Sequence, residues 1–324
     1  MRFRFSRVLK VVVGILLSIG LGWLAVRGID WILVGEKLAE VSITSLVAAI
    51  MFFISAGWVR AIRWRMLFVE DKISINRLFI VQNEGIGINN VLPFRIASEL
   101  TQFAVLVLKD GINRSTVFAS LLIERLIDLL ASMTVLFLAI LFVPEMGRFT
   151  PFVSVVFAFS ILAAALLIMF MWCIEKIAVV RKIKFITSLS DAIRIFKKKK
   201  GRVFCSIVLS VVYWLMVGVT AWIVAEAIDL PISPVTATLV IMGTIFFATL
   251  VPAAPSALGT FEFAVVSVLD YFGIDRSEGF SFAVIIHVIF FLPPTIIAAI
   301  FLPREGILTF RNWRSGMVAR KSYE

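Results

Sequence analysis

The stretch NEGIGINNVLPFRIASEL, Asn83 to Leu100, sets Asn, Glu, Gly, Pro and Arg into a chain that is otherwise apolar. It is either a loop between membrane helices or polar backbone held at membrane depth, and its flanks decide which. The chain has 324 residues, 61% of them apolar and 16% charged. Soluble domains run at about 45–50% and roughly 25%. With so little polar surface the solvent for most of the chain is lipid. Apolar runs at 11–26, 43–59, 129–143, 151–173, 203–225 and 280–302 suit a hydrocarbon core about 30 Å thick, which about 20 helical residues cross. The composition predicts an all-α polytopic membrane protein, one transmembrane domain over 1–324 with no soluble domain attached.

Charge bias sets the expected topology, because cytoplasmic loops collect Lys and Arg. Arg2, Arg4, Arg7 and Lys10 place the N-terminus inside, ahead of an uncleaved first span. The segment 27–40 reads as a mildly acidic outer loop. Residues 60–77 and 174–202 are basic and inside, as is the basic tail 303–324. The expected location is the cell (plasma) membrane, multi-pass, with both termini cytoplasmic. Segment 78–108 then starts and ends inside, and its apolar pieces, 78–93 and 96–108, are each too short to cross at about 1.5 Å per residue. A re-entrant hairpin fits; the competing reading is a solvated cytoplasmic loop. Segment 235–272, with TLVPAAPSALGTFEF at Thr249–Phe263, is the outer counterpart. The prediction is about six full spans plus two opposed re-entrant hairpins in an inverted repeat, with halves at about 8–143 and 151–302. Such repeats with broken helices are common among transporters.

Irregular backbone at membrane depth persists only inside protein or beside a wet cavity. Pro93 removes an N–H, and Gly85 and Gly87 are expected to loosen the helix before it. Glu84, Asn89, Asn90, Arg95 and Glu99 are costly in hydrocarbon unless paired or hydrated. Arg95 and Glu99 stand four apart; if a helix starts near Pro93 they share a face, where they either pair with each other or hold a headgroup. In the second hairpin Pro252 and Pro255 break the helix and Gly259 precedes Glu262, which either binds a ligand or caps the next helix. Glu124 and Asp128 share a helix face, with Arg125 in reach of Asp128. That trio is either a substrate face or a salt-bridge lock. His287, the only histidine, sits near the position that Glu124 has in its own span. It is a packing residue or, less simply, a proton relay. Trp64 with Arg60, Arg63 and Arg65 reads as an interfacial belt, and 177–200 as an in-plane cytoplasmic helix ending in KKKK. Cys173 and Cys205 have neither disulfide nor zinc spacing. The net charge of +11 is met more simply by anionic headgroups than by nucleic acid. No metal or cofactor is expected.

RAIRWRMLF, NNVLPFRIASEL, ASLLIERLIDLL and VPAAPSALGTFE, in that order, resemble the lysylphosphatidylglycerol synthase transmembrane-region family, whose members are also called flippase-like domain proteins. The resemblance covers about 8–302. It departs from the family pattern in three places: Arg95 and Glu99 are separated by IAS where Arg-x-Gly-Glu is common, PSALG replaces a Pro-Gly-Gly-like turn, and His287 stands where Arg is common. The resemblance implies a protein that handles phospholipid or polyprenyl-linked glycan among membrane lipids, without synthase activity. Its expected function is lipid or lipid-linked-glycan translocation, with Asn89, Asn90, Arg95, Glu99, Glu124, Arg125, Asp128 and Glu262 as binding residues. The alternative is a membrane-embedded enzyme or accessory subunit in glycosyl transfer, with Glu99, Asp128 and Glu262 as acid or base. A homo-oligomer is compatible with either.

Overall fold

The computed structural model describes residues 2–68, 71–92, 96–144, 147, 150–174 and 199–306; for 2–11 and parts of the helix at 150–174 only the backbone is described. These residues are helical throughout, without strands. The helices are α1 (Arg2–Val26), α2 (Trp31–Glu40), α3 (Ile43–Leu67), α4 (Ile75–Val91), α5 (Ala97–Ala104, continued by a π turn over Val105–Lys109), α6 (Arg114–Leu141), α7 (Thr150–Ile174), α8 (Lys200–Ala227), α9 (Pro234–Leu250), α10 (Thr260–Tyr271) and α11 (Arg276–Phe301). The six expected apolar runs fall on α1, α3, α6, α7, α8 and α11.

Among the described residues, the helices at Ile43–Leu67, Gly201–Ala227 and Arg276–Glu305 are each long and apolar enough to cross a membrane unaided. α6 has 28 residues, so it has the length, but Glu124, Arg125 and Asp128 interrupt its apolar run. α1 and α2 form a pair bent by 88°, where an outer loop was expected. The bend has local causes. Gly28 takes φ 76°, and Asp30 Oδ1 accepts from the Ile32 and Leu33 amides at 2.9 and 3.3 Å, an N-cap that starts a new helix. The tail beyond 306 and most of the expected in-plane helix at 177–200 lie outside the described residues.

Two segments repeat. α4 and α9 are both 17 residues long, and each starts at a serine cap. Ser74 Oγ accepts from the Arg77 amide at 3.2 Å, and Ser233 Oγ from the Thr236 amide at 3.1 Å. Both helices end at an extended residue, Leu92 or Val251. A break and a shorter helix follow, then a GI(N/D)RS turn. In that turn Gly111 and Gly273 take φ 68° and 76°. Asn113 and Asp275 then cap α6 and α11, each accepting from a serine amide at 2.8 Å.

α4 runs unbroken through Gly85 and Gly87, contrary to the expected loosening. Gly87 is instead a contact: a Cβ there would stand 2.7 Å from the Pro294 carbonyl and collide with Ala298. The small residue lets α4 lie directly on α11. A Gly14, Ser18 and Gly22 stripe on α1, spaced by one turn, lets that helix approach the second break in the same way. The opposite side of α1 exposes Leu16, Ile19 and Trp23, as a lipid-facing helix does. The main core gathers Phe261, Phe282, Ile286, Ile241 and Met242; a second one gathers Trp64, Phe68, Leu78 and Leu106.

Candidate functional site

The two broken segments meet. Ser256 Oγ, at the second break, donates to the Asn90 carbonyl at the end of α4 at 2.8 Å. Asn90 Nδ2 donates to the Phe291 carbonyl at 3.1 Å and to Thr295 Oγ1 at 3.0 Å, both on α11. On the other side, Ser18 Oγ of α1 accepts from the Ala254 amide at 2.7 Å and stands 3.1 Å from Thr260 Oγ1. The second break holds Pro252 and Pro255, with Ser256, Ala257 and Gly259 at φ 58°, 56° and 81°. Left-handed backbone at two non-glycine residues is costly, and these side-chain bonds offset part of that cost. At Gly259 a Cβ would also strike the Ser18 carbonyl. Asn89 is half-buried beside Asn90. Pro93 and Arg95, and with them the candidate Arg95–Glu99 pair, lie outside the described residues.

Each break is tied to the next long helix by one carboxylate. Glu99 Oε1 meets Arg125 Nη2 at 2.6 Å, with both side chains about a third exposed (31% and 39%). Glu262 Oε1 meets His287 Nδ1 at 2.5 Å, with both side chains nearly buried. Its Oε2 accepts from the Gly259 amide at 2.6 Å. Glu262 is therefore a helix cap as well as a tie. The His287 ring packs between Phe261 and Phe291, with centroids 4.8 and 4.2 Å away. Bonded and packed in this way, it answers to the packing reading.

These two ties are equivalent in the repeat. Glu99 and Glu262 are each the third residue of the helix after the break, and Arg125 and His287 each lie fourteen residues past the turn glycine. The stretch from Glu99 to Gly111 is one residue longer than that from Glu262 to Gly273. A π turn takes up one extra residue, and the one at Val105–Lys109 lies within the longer stretch. His287 thus corresponds to Arg125 rather than to Glu124. The same geometry corrects the expected partner of Arg125: its guanidinium goes to Glu99, while Asp128 is taken by another helix.

That helix is α3. Arg63 Nη1 donates to Asp128 Oδ1 at 2.7 Å and to Ser210 Oγ at 2.9 Å, and Nη2 donates to Glu124 Oε1 at 2.7 Å. Arg60 Nε donates to the same Glu124 oxygen at 3.3 Å. Trp214 Nε1 donates to Asp128 Oδ1 at 3.1 Å. Arg63 and Trp64 are fully buried and Arg60 nearly so, so the interfacial-belt reading fails for these three. Spacings of three or four put Arg60 with Arg63, Glu124 with Asp128, and Ser210 with Trp214 on single faces of α3, α6 and α8. Two cations meet two carboxylates, which makes burial tolerable. For Glu124 and Asp128 the geometry supports the lock between helices. The arginine spacing in VRAIRWR was the available signal.

Beside the lock, a narrow cleft opens between α3, α4, α8 and α11, lined in part by Arg60, Gln82, Asn83, Tyr213, Pro293 and Pro294. Its wall is mostly apolar, with Arg60 of α3 and Gln82 and Asn83 of α4 among its polar members. Gln82 Nε2 donates to the Gly57 carbonyl at 2.6 Å and Asn83 Nδ2 to the Phe79 carbonyl at 2.7 Å.

The model of the family described as Lysylphosphatidylglycerol synthase TM region matches residues 11–298. The chain belongs to that family. The match takes in the lock, both breaks and both ties. Membership makes it a membrane protein of a lipid-related family. Among curated proteins none matches the chain.

Proposed function

We propose that this chain moves a lipid, a phospholipid or a polyprenyl-linked glycan, between leaflets of the cell membrane, with its headgroup passing where the two broken segments meet. The observation that carries this is the bond from Ser256 to Asn90, which joins the breaks of two repeated units. In this reading each break is the tip of a re-entrant hairpin, and the hairpins enter from opposite faces as inverted halves at about 8–143 and 151–302. The contacts support that arrangement. Arg276 donates to the Leu24 carbonyl at the end of α1, and Lys37 pairs with Glu278 and donates to Ile228 after α8. Arg77, before most of α4, binds Asp110 and Glu305. The first group gathers at the start of α11 and the second at its end, about 39 Å apart for 26 residues at 1.5 Å each. In this reading the first group marks the outer face and the second the cytoplasmic face, with both termini cytoplasmic.

The α6 charges do not prevent that helix from spanning, since Arg60 and Arg63 neutralise Glu124 and Asp128 within the protein. Asn89, Asn90 and Arg95 would meet the headgroup at the tips. Arg125, part-exposed and held only by Glu99 in the bonds described, would receive an anionic headgroup by exchanging one carboxylate for another anion. Glu99 and Glu262 hold the hairpins until then. Leaflet exchange of labelled phospholipids and polyprenyl-linked sugars in reconstituted liposomes tests the reading. Protein-dependent exchange of at least one class is expected; exchange no faster than in protein-free vesicles across the panel would overturn it.

A further inference from the structure

Glu84 is fully buried on α4, and among the described residues no donor reaches either of its carboxyl oxygens; the Glu305 carboxylate stands close enough to accept from Glu84 once Glu84 carries a proton. The charged groups facing it are Glu305 from the end of α11, Arg77 on its own helix and Asp110 from the turn before α6. Arg77 is the one cation among these, and it is already engaged. Its Nε donates to both oxygens of Asp110 at 3.0 Å, and Nη1 and Nη2 donate to the two oxygens of Glu305 at 2.5 and 3.0 Å. A guanidinium has five N–H donors in a fixed fork, and here all three nitrogens point at the other two acids. The charges on the elements packed against α4 are likewise committed: Arg60 and Arg63 of α3 to the lock, Glu99 of α5 to Arg125, and His287 of α11 to Glu262. Among the described residues Glu84 thus has no free counter-charge, and an ionised carboxylate buried without one is too costly to persist. A proton removes that cost.

We infer that Glu84 is a proton-binding site, exchanging its proton with the cytoplasm through the nearly buried Glu305 and the part-exposed Arg77 and Asp110. The inference deepens the proposed function and rests on it for its role. The sequence carries no ATP-binding motif, so a cycle that concentrates lipid in one leaflet needs a gradient. A proton taken up by Glu84 and later released on the other side would supply it. Glu84 is placed for this coupling. It lies between Asn83, on the cleft wall, and Gly85, where a Cβ would stand 2.6 Å from Gln102 Nε2 of α5. Ionisation of Glu84 would draw water into the seam between the two arms of the first hairpin and favour its opening.

Infrared difference spectroscopy of the purified protein reads the proton directly. At neutral pH the wild type is expected to show the carbonyl stretch of a buried, protonated carboxylic acid, which disappears as pH is raised and is missing in Glu84→Gln. Glu305→Gln, which removes the neighbouring negative charge, should let the band disappear at lower pH. In proteoliposomes containing labelled phospholipid, an imposed pH gradient should make wild-type exchange directional and leave Glu84→Gln exchange without direction. Absence of the band in the wild type, or its persistence in Glu84→Gln, overturns the proton site. Directional exchange retained by Glu84→Gln overturns its coupling role. The band with no exchange of any lipid would leave the site standing and refute translocation instead.

Discussion

Replacing Arg63 with Ala tests the buried lock most severely. The side chain is fully buried, and it carries three of the bonds that join α3, α6 and α8. Its loss leaves Glu124 and Asp128 facing Arg60 alone, whose nearest contact to Glu124 is 3.3 Å. Breaking a buried pair by removing one partner costs about 3–5 kcal/mol, because a charge stays behind uncompensated. At about 1.4 kcal/mol per tenfold change, that is a drop of roughly a hundred- to several-thousand-fold in the folding equilibrium. Arg276 and Asp270 serve as the reference, a pair at 3.3 Å with side chains 32% and 52% exposed, for which about 0–1 kcal/mol is expected. Unfolding in mixed micelles, followed by tryptophan fluorescence, reads both variants, and Trp214 reports locally through its bond to Asp128. A neutral set, Arg60→Met, Arg63→Met, Glu124→Gln and Asp128→Asn, should recover most of the loss, since neutral replacements of buried pairs are often tolerated. An Arg63→Ala loss no larger than that of Asp270→Ala, which removes only the exposed pair, would mean that the buried charges need no partner. A neutral set less stable than the single variant would also refute the reasoning.

Gly87→Ala forces a methyl against Ala298 and the Pro294 carbonyl and should cost about 1–3 kcal/mol by overpacking, measured in the same unfolding assay; a neutral result would mean that α4 and α11 do not pack this closely. Glu262→Gln keeps an acceptor for the Gly259 amide but removes the charge facing His287. It should loosen the second hairpin, seen as faster hydrogen exchange at residues 251–262, with Glu99→Gln doing the same to the first hairpin; unchanged protection in both would sink the equivalence of the two ties. The Asp275 carboxyl is held below its ordinary range by the Ser277 amide bond. A lowered carboxylate stabilises fully above its unfolded value of about 3.9 and loses that contribution as pH falls from there through its lower folded value. Asp275→Ala should therefore cost about 1 kcal/mol at neutral pH and nothing further once acid has removed the cap, read from stability at both pH values.

Much of the helical layout was legible because it rests on composition and one-dimensional pattern. Apolar runs and proline positions give the long helices and the break at Pro252–Pro255. The partners were less legible, because pairing depends on which helix faces which. Arg125 could reach Asp128 along its own helix, and sequence spacing favours that local choice. Packing α3 against α6 and α8 brought in Arg63, which took Asp128 and left Arg125 to Glu99. Arg60 and Arg63 look like surface arginines until their carboxylates are found on a helix about sixty residues away. Gly87 looks like a weak point in α4 until Pro294 and Ala298 are set against it. The match of His287 to Arg125 was hidden by the one-residue difference at the π turn. α2 was read as loop because its cap, Asp30, counted there only as an acidic residue.

If a headgroup passes where the two breaks touch, as proposed, parting them is required for transport. With Cys173 and Cys205 replaced by serine, Asn90→Cys and Ser256→Cys can be joined by a short thiol cross-linker, and leaflet exchange measured in liposomes before and after. Protein-dependent exchange is expected to stop on cross-linking and to return when a cleavable linker is cut. Exchange that continues at the same rate with the tips joined would contradict the proposed passage.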